Sequence, residues 1–141
     1  MAAAVKFNDF VEQLGLAVHN LSTHTLKVAL ARSTDPPTSA DTILGDITQP
    51  TGTGYTAGGI DTLNTWAEAG GTATLTGTKA VWTAGAADWI SFRYVVLHND
   101  DAADRVIVFW DYASDLTLGN GETFTVKFNN GDPTGTIGTL A

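Results

Sequence analysis

No cysteine occurs among the 141 residues. A disulfide framework, a thiolate metal site and a cysteine nucleophile are thereby excluded. Positive charge is also scarce: seven Lys and Arg stand against fifteen Asp and Glu, a net charge of −8. The basic residues lie singly along the chain, so no local patch offsets the total. Direct binding to nucleic acid or to an anionic membrane is disfavoured, because both depend on cations that neutralise phosphate. No apolar run approaches the length of a membrane span. The start, Met1 to Asp9, lacks the basic-then-apolar pattern of a secretory leader. Lys and Glu are few while Thr, Ala and Gly are many, which favours strands over helices. Hydrophobic residues make up 43% of the chain, too many for disorder. The length suits one domain spanning residues 1–141.

One helical pattern is present. Phe7, Phe10, Val11, Leu14, Val18 and Leu21 recur at spacings of three and four, the period of one helix face. Asp9 followed by Glu12 resembles a capping box. Residues 1–22 are thus expected to form an N-terminal amphipathic helix or arm. Its stripe either packs on its own sheet or docks on another subunit, which makes Phe7, Phe10, Val11 and Leu14 interaction candidates. Gly15 inside the pattern costs about 1 kcal/mol relative to Ala, so packing must hold the helix.

The rest reads as β. Leu26, Val28 and Leu30 alternate as in a half-buried strand, and residues 33–40 with Pro36-Pro37 form a loop. Residues 42–47 are a short strand or a helical turn. Strands are expected at 72–76 and 79–83, separated by a bend at Gly77. Residues 89–98 and 105–112, joined by the polar turn Asn99–Asp104, read as a hairpin and as the core. A second hairpin is expected from 116–118 and 123–128 around Asn120-Gly121, and a last strand within 135–140. About seven short strands with turn signals every 8–12 residues indicate a mainly β fold, an antiparallel, jelly-roll-like β-sandwich.

Gly52-Thr53-Gly54-Tyr55-Thr56-Ala57-Gly58-Gly59 contains a formal G-x-G-x-x-A. A dinucleotide site needs those residues to open a helix, and here two more glycines follow instead. The stretch reads as a backbone device, with Gly54, Gly58 and Gly59 reaching φ values closed to other residues and Tyr55 packing from a fixed place. A side chain at Gly58 or Gly59 is expected to impair folding or assembly. His19, His24 and His98 have no metal-binding or catalytic spacing, and no serine sits in G-x-S-x-G. Asn99, Asp100, Asp101 and Asp104 lack EF-hand spacing and read as a solvated turn. Asp111 is expected on the face opposite Trp110. The four tryptophans read as core before they read as a sugar platform. No catalytic residue, cofactor or metal is expected.

Several segments together resemble a known group. They are Phe10-Val11-Glu12, Val18-His19-Asn20-Leu21, Thr25-Leu26-Lys27-Val28-Ala29-Leu30 and Gly54-Tyr55-Thr56-Ala57-Gly58-Gly59. Phe92 to Asp100, Trp110-Asp111-Tyr112 and Gly121-Glu122-Thr123-Phe124-Thr125-Val126 extend the set over nearly the whole chain. The chain resembles a widespread family of small tailed-bacteriophage virion structural proteins, with Gly-Tyr-Thr-Ala-Gly-Gly the most specific part. The resemblance implies a β-rich, non-enzymatic protein of head or tail, made in the host cytoplasm and carried in the virion. A capsid cement or decoration protein is the expectation, a homo-dimer or trimer bound to the major capsid protein or other virion proteins. A tail or fibre adhesin that binds a host surface glycan through exposed aromatics is the alternative. A wall hydrolase is disfavoured for want of an acid/base pair.

Overall fold

A computed structural model describes residues 3–141. The elements in order are β1 (Val5–Lys6), α1 (Asn8–Gly15), β2 (Leu26–Ala31), β3 (Ile60–Asp61), β4 (Thr65–Ala69), β5 (Thr72–Thr78), β6 (Ala80–Thr83), β7 (Phe92–Asn99), β8 (Arg105–Leu116), β9 (Thr123–Val126) and β10 (Thr134–Leu140). Every strand pair is antiparallel. The fold is mainly β and sandwich-like, with one helix near the N-terminus.

The first layer is β1-β8-β7-β2-β3. The second consists of β10-β5-β4 and β6-β9. These two short sheets form one continuous layer. β6 prolongs β5 past Lys79, β10 pairs with β5, and β9 pairs with β6. The loop 127–133 swells out between β9 and β10, and the Lys79 N–H closes the gap by donating to the Pro133 carbonyl at 2.7 Å.

Side-chain alternation distributes the apolar residues. Leu26, Val28 and Leu30 of β2, Val95 and Leu97 of β7, and Ile107 and Trp110 of β8 face Leu75, Ala80, Trp82 and Val126 of the second layer. The intervening Ala29, Ala31, Val96, Val106 and Phe109 face the other way and meet Phe7, Leu44 and Ile47. The first layer is therefore covered on both sides, which explains why β7 reads as a continuous apolar run. Against that outer face Leu44 and Ile47 pack, where a 3-10 turn at Leu44–Asp46 realises the helical option for residues 42–47.

Several expectations are corrected. The helix does not run from 7 to 21; it spans only Asn8–Gly15. The Ala17 N–H donates to the Leu14 carbonyl and the Val18 N–H to the Gln13 carbonyl, with Ala17 at φ +60°, a Schellman closure with alanine in the left-handed seat. No capping box forms at Asp9 and Glu12: Phe7 is the N-cap and Asp9 lies inside the first turn. Its carboxylate instead accepts from Arg105 Nη1 at 2.7 Å and Gln13 Nε2 at 3.1 Å. The second hairpin is absent as well. The Asn120-Gly121 turn is there, but β9 pairs with β6, where Trp82 and Phe124 stack with centroids 6.0 Å apart. Gly77 does not bend the chain. It sits inside β5 because Ile137, Thr62 and Phe128 crowd the place a side chain would take. Strands β3 and β4 were not foreseen, and β7 starts at Phe92, leaving Trp89 in a loop although its ring is buried.

Candidate functional site

The glycine stretch crosses from β2 to the loop before β7. At its first end the Thr53 carbonyl accepts from the Gly85 N–H at 2.7 Å and from Trp89 Nε1 at 2.9 Å. Thr53 N–H and Oγ1 both donate to Asp88, and these bonds hold the Asp88 carboxyl below its usual range. Gly54 is at φ +97° with the Thr83 carbonyl where a Cβ would stand. In the middle, Tyr55 packs edge-on against Trp89, centroids 5.6 Å apart. Its hydroxyl donates to Gln49 Oε1 at 2.7 Å and accepts from the Leu30 N–H at 3.1 Å. Burial pushes the phenol up to about 12, so it stays a donor through the physiological range. At the far end the Gly58 carbonyl accepts from His98 Nε2 at 2.8 Å, and Gly59 lies against the Val28 backbone. The stretch is a structural crossover, with Tyr55 as its fastener.

The helical candidates separate. Phe7 is fully buried, not on the stripe but beneath it, with its ring 5.1 Å from that of Phe109 in the smaller core cluster. Phe10 and Leu14 lean on the larger cluster, while Val11 points to solvent. Val18 and Leu21 lie beyond the helix end, and Leu21 enters the core from the loop. Phe7 and Leu21 thus anchor the two flanks of the helix in the core.

Two of the three histidines, His19 and His24, meet at Asn99, far from both in sequence. Asn99 Oδ1 accepts from the Asp101 N–H at 3.2 Å, which points its amide nitrogen at His19 Nδ1, 3.0 Å away, and His24 Nδ1, 3.1 Å away. His98, next in the strand, is fully buried, and its Nδ1 faces Asp104 Oδ1 at 3.2 Å. The carboxylates of the 99–104 turn are spent on this chain: Asp101 accepts from the Thr25 N–H at 2.7 Å and Asp100 pairs with Lys27 at 2.9 Å.

One concavity is not legible in the sequence. It is a groove of about 540 Å³ between the layers, where β8 and β9 part. Val95 and Trp110 line it with Tyr112, Phe124 and Val126, and Lys127 and Asn130 lie at one end. The Tyr112 and Phe124 rings meet at 81° with centroids 5.6 Å apart, and Tyr112 is 52% exposed. Asp111 turns away from buried Trp110, as alternation requires, and takes a bidentate bond from Arg93 at 2.8 and 2.9 Å. That pairing holds the Asp111 carboxyl below its usual range. Both flanking strands have open edges among the described residues: β1 covers β8 only at Val108 and Phe109, and β9 pairs on one side only. Phe124 and Val126 show the alternation of a strand, yet nothing in the sequence tells that their free edge lies beside Tyr112.

No protein-family model, no curated protein and no solved structure matches the chain. The arrangement has to speak for itself. Among the described residues no group of three or more His, Asp or Glu could hold a metal ion, and no helix is long and apolar enough to cross a membrane. The groove brings together aromatic surface and unpaired strand edges, the parts of a docking surface.

Proposed function

We propose that this chain is a non-enzymatic structural protein of a tailed-phage virion, a cement or decoration protein that stabilises the head. It works as a homo-dimer or trimer bound to the major capsid protein or other virion proteins, without cofactor, nucleic acid or membrane. The observation that carries the reading is the open groove, where two strand edges border Trp110, Tyr112 and Phe124. An extended segment of a neighbour laid there gains main-chain hydrogen bonds and apolar burial together. Many such contacts on one shell add by multivalency, each weak and the sum strong. The sequence resemblance supports the same reading, since its segments include both Trp110-Asp111-Tyr112 and Thr123-Phe124-Thr125-Val126.

The same exposed ring of Tyr112 favours one alternative, a tail or fibre adhesin that stacks a host glycan in the groove. Copy number in purified particles, by quantitative mass spectrometry, decides between them. Decoration requires on the order of hundreds of copies, because the capsid lattice repeats its sites. A count of about a dozen or fewer removes decoration in favour of the tail.

A further inference from the structure

Asn99 is held in one orientation by a donor that cannot change. Its Oδ1 accepts from the Asp101 backbone N–H, so both hydrogens of its amide nitrogen point at histidines. A donor needs an acceptor opposite it. His19 Nδ1 and His24 Nδ1 must each present a lone pair, and each ring must carry its proton on Nε2 or lose the bond. One amide thus holds two imidazoles, and only in their neutral form. His19 is 5% exposed and packs on Phe10, with centroids 5.2 Å apart. It is the side chain that fastens the end of α1 to the sheet.

We propose that residues 8–20 form an acid-sensitive flap, latched at neutral pH by His19 on the Asn99 amide and loosened when that imidazole takes up a proton. Protonation sets an N–H against an N–H at that contact. The flanks of the flap do not titrate with it. Phe7 stays in the core, and Asn64 Nδ2 holds the Leu21 and His24 carbonyls at 2.8 and 3.1 Å. Beside the flap an open concavity of about 310 Å³ is lined by Leu14, His19, Leu21, Trp66 and Leu140. The latch is also imperfect when closed, because His19 Nε2 is buried without a partner.

Charged groups surround the latch on every element packed against it. Asp9 of α1 and Arg105 of β8, themselves paired at 2.7 Å, flank His19. Asp101 lies near both His24 and Lys27, and Asp104 faces His98. Burial lowers the His19 imidazole from its ordinary value; Asp9 opposes that shift, while Arg105 and His24 add to it. The folded group therefore binds its proton less readily than the unfolded one. Stability is present above the ordinary imidazole value of about 6.5 and lost as pH falls below it.

Hydrogen exchange on the full chain at pH 7.5 and 5.5, expressed as protection factors, tests this. At pH 5.5 protection over residues 8–20 falls, by up to about tenfold where the closed flap holds His19 neutral throughout, while β2 and β7 stay unchanged. The doubly substituted His19→Asn, His24→Asn chain keeps an acceptor near each Nδ1 site and loses the pH dependence. Asn99→Asp replaces the amide donor by an acceptor and leaves the histidines in place. Its flap is protected at pH 5.5 at least as well as at pH 7.5. Equal wild-type protection at the two pH values overturns the proposal, and so does an Asn99→Asp chain that loosens in acid as the wild type does.

Discussion

Gly58 and Gly59 are neighbours at φ +91° and +81°, and the sequence offers no reason to rank them. The structure does. A Cβ on Gly58 meets nothing within 4 Å, so Gly58→Ala costs only its left-handed backbone, about 1–2 kcal/mol. A Cβ on Gly59 overlaps the Val28 carbonyl, a backbone atom of β2 that cannot step aside. Gly59→Ala is expected to cost more than about 4 kcal/mol, or to leave no folded protein. Urea unfolding of the two variants checks the ranking, and equal midpoints would show the close approach to be unimportant. Tyr55 is a second residue whose role was only half visible. Its packing was expected; the bonds to Gln49 and Leu30 were not. Tyr55→Phe leaves the Leu30 N–H unpaired and takes from Gln49 Oε1 one of its two donors, the other being the Gly58 N–H, and should destabilise by about 1–3 kcal/mol. The phenol's folded value, about 12, lies above its free value of about 10. Its stabilisation is therefore full below pH 10 and lost as pH rises from 10 towards 12. Melting temperatures across that range should fall in the wild type beyond what they do in Tyr55→Phe.

At the scale of elements, strands with strong alternation or β-branched runs were legible, and pairings between distant segments were not. β2, β7 and β8 lie near their expected places because Leu26, Val28, Leu30 and the Tyr94–Leu97 run carry the pattern within themselves. β9 was assigned the wrong partner because Asn120-Gly121 is a local hairpin signal. What decides the pairing is Trp82, a residue about forty positions earlier whose indole stacks on Phe124. β4 escaped notice because Thr65–Ala69 is mostly solvent-facing and has no apolar alternation to read. The apolar period outruns the helix for a different reason. Val18 and Leu21 keep the period of three and four by coincidence, and a left-handed alanine ends the helix where glycine would have announced it. Ala17→Gly should relieve the left-handed strain at some cost in unfolded-chain entropy, a net gain of about 0.5–1 kcal/mol. An equilibrium unfolding midpoint lower than that of the wild type would contradict the cap geometry.

For the whole molecule, charge and shape pull in opposite directions. A net charge of −8 on 141 residues makes copies repel one another at long range. The groove between β8 and β9 attracts at short range through Tyr112 and Phe124; Asp111 is paired with Arg93, and Lys127 shares Asp132 with Lys79. Neither force depends on salt in the same way. Raising ionic strength from about 0.01 to 0.1 M shortens the screening length from about 30 to about 10 Å, which weakens the repulsion between copies and leaves apolar burial untouched. If copies associate through the groove, association must therefore strengthen with salt. Sedimentation velocity over that range measures it, with Tyr112→Ser as the companion variant that removes the most exposed ring of the groove. The expected outcome is a larger oligomeric fraction at higher salt in the wild type and little at either salt in the variant. Association that weakens with salt would mean that intermolecular ion pairs hold the copies together, and the groove would then not be their contact.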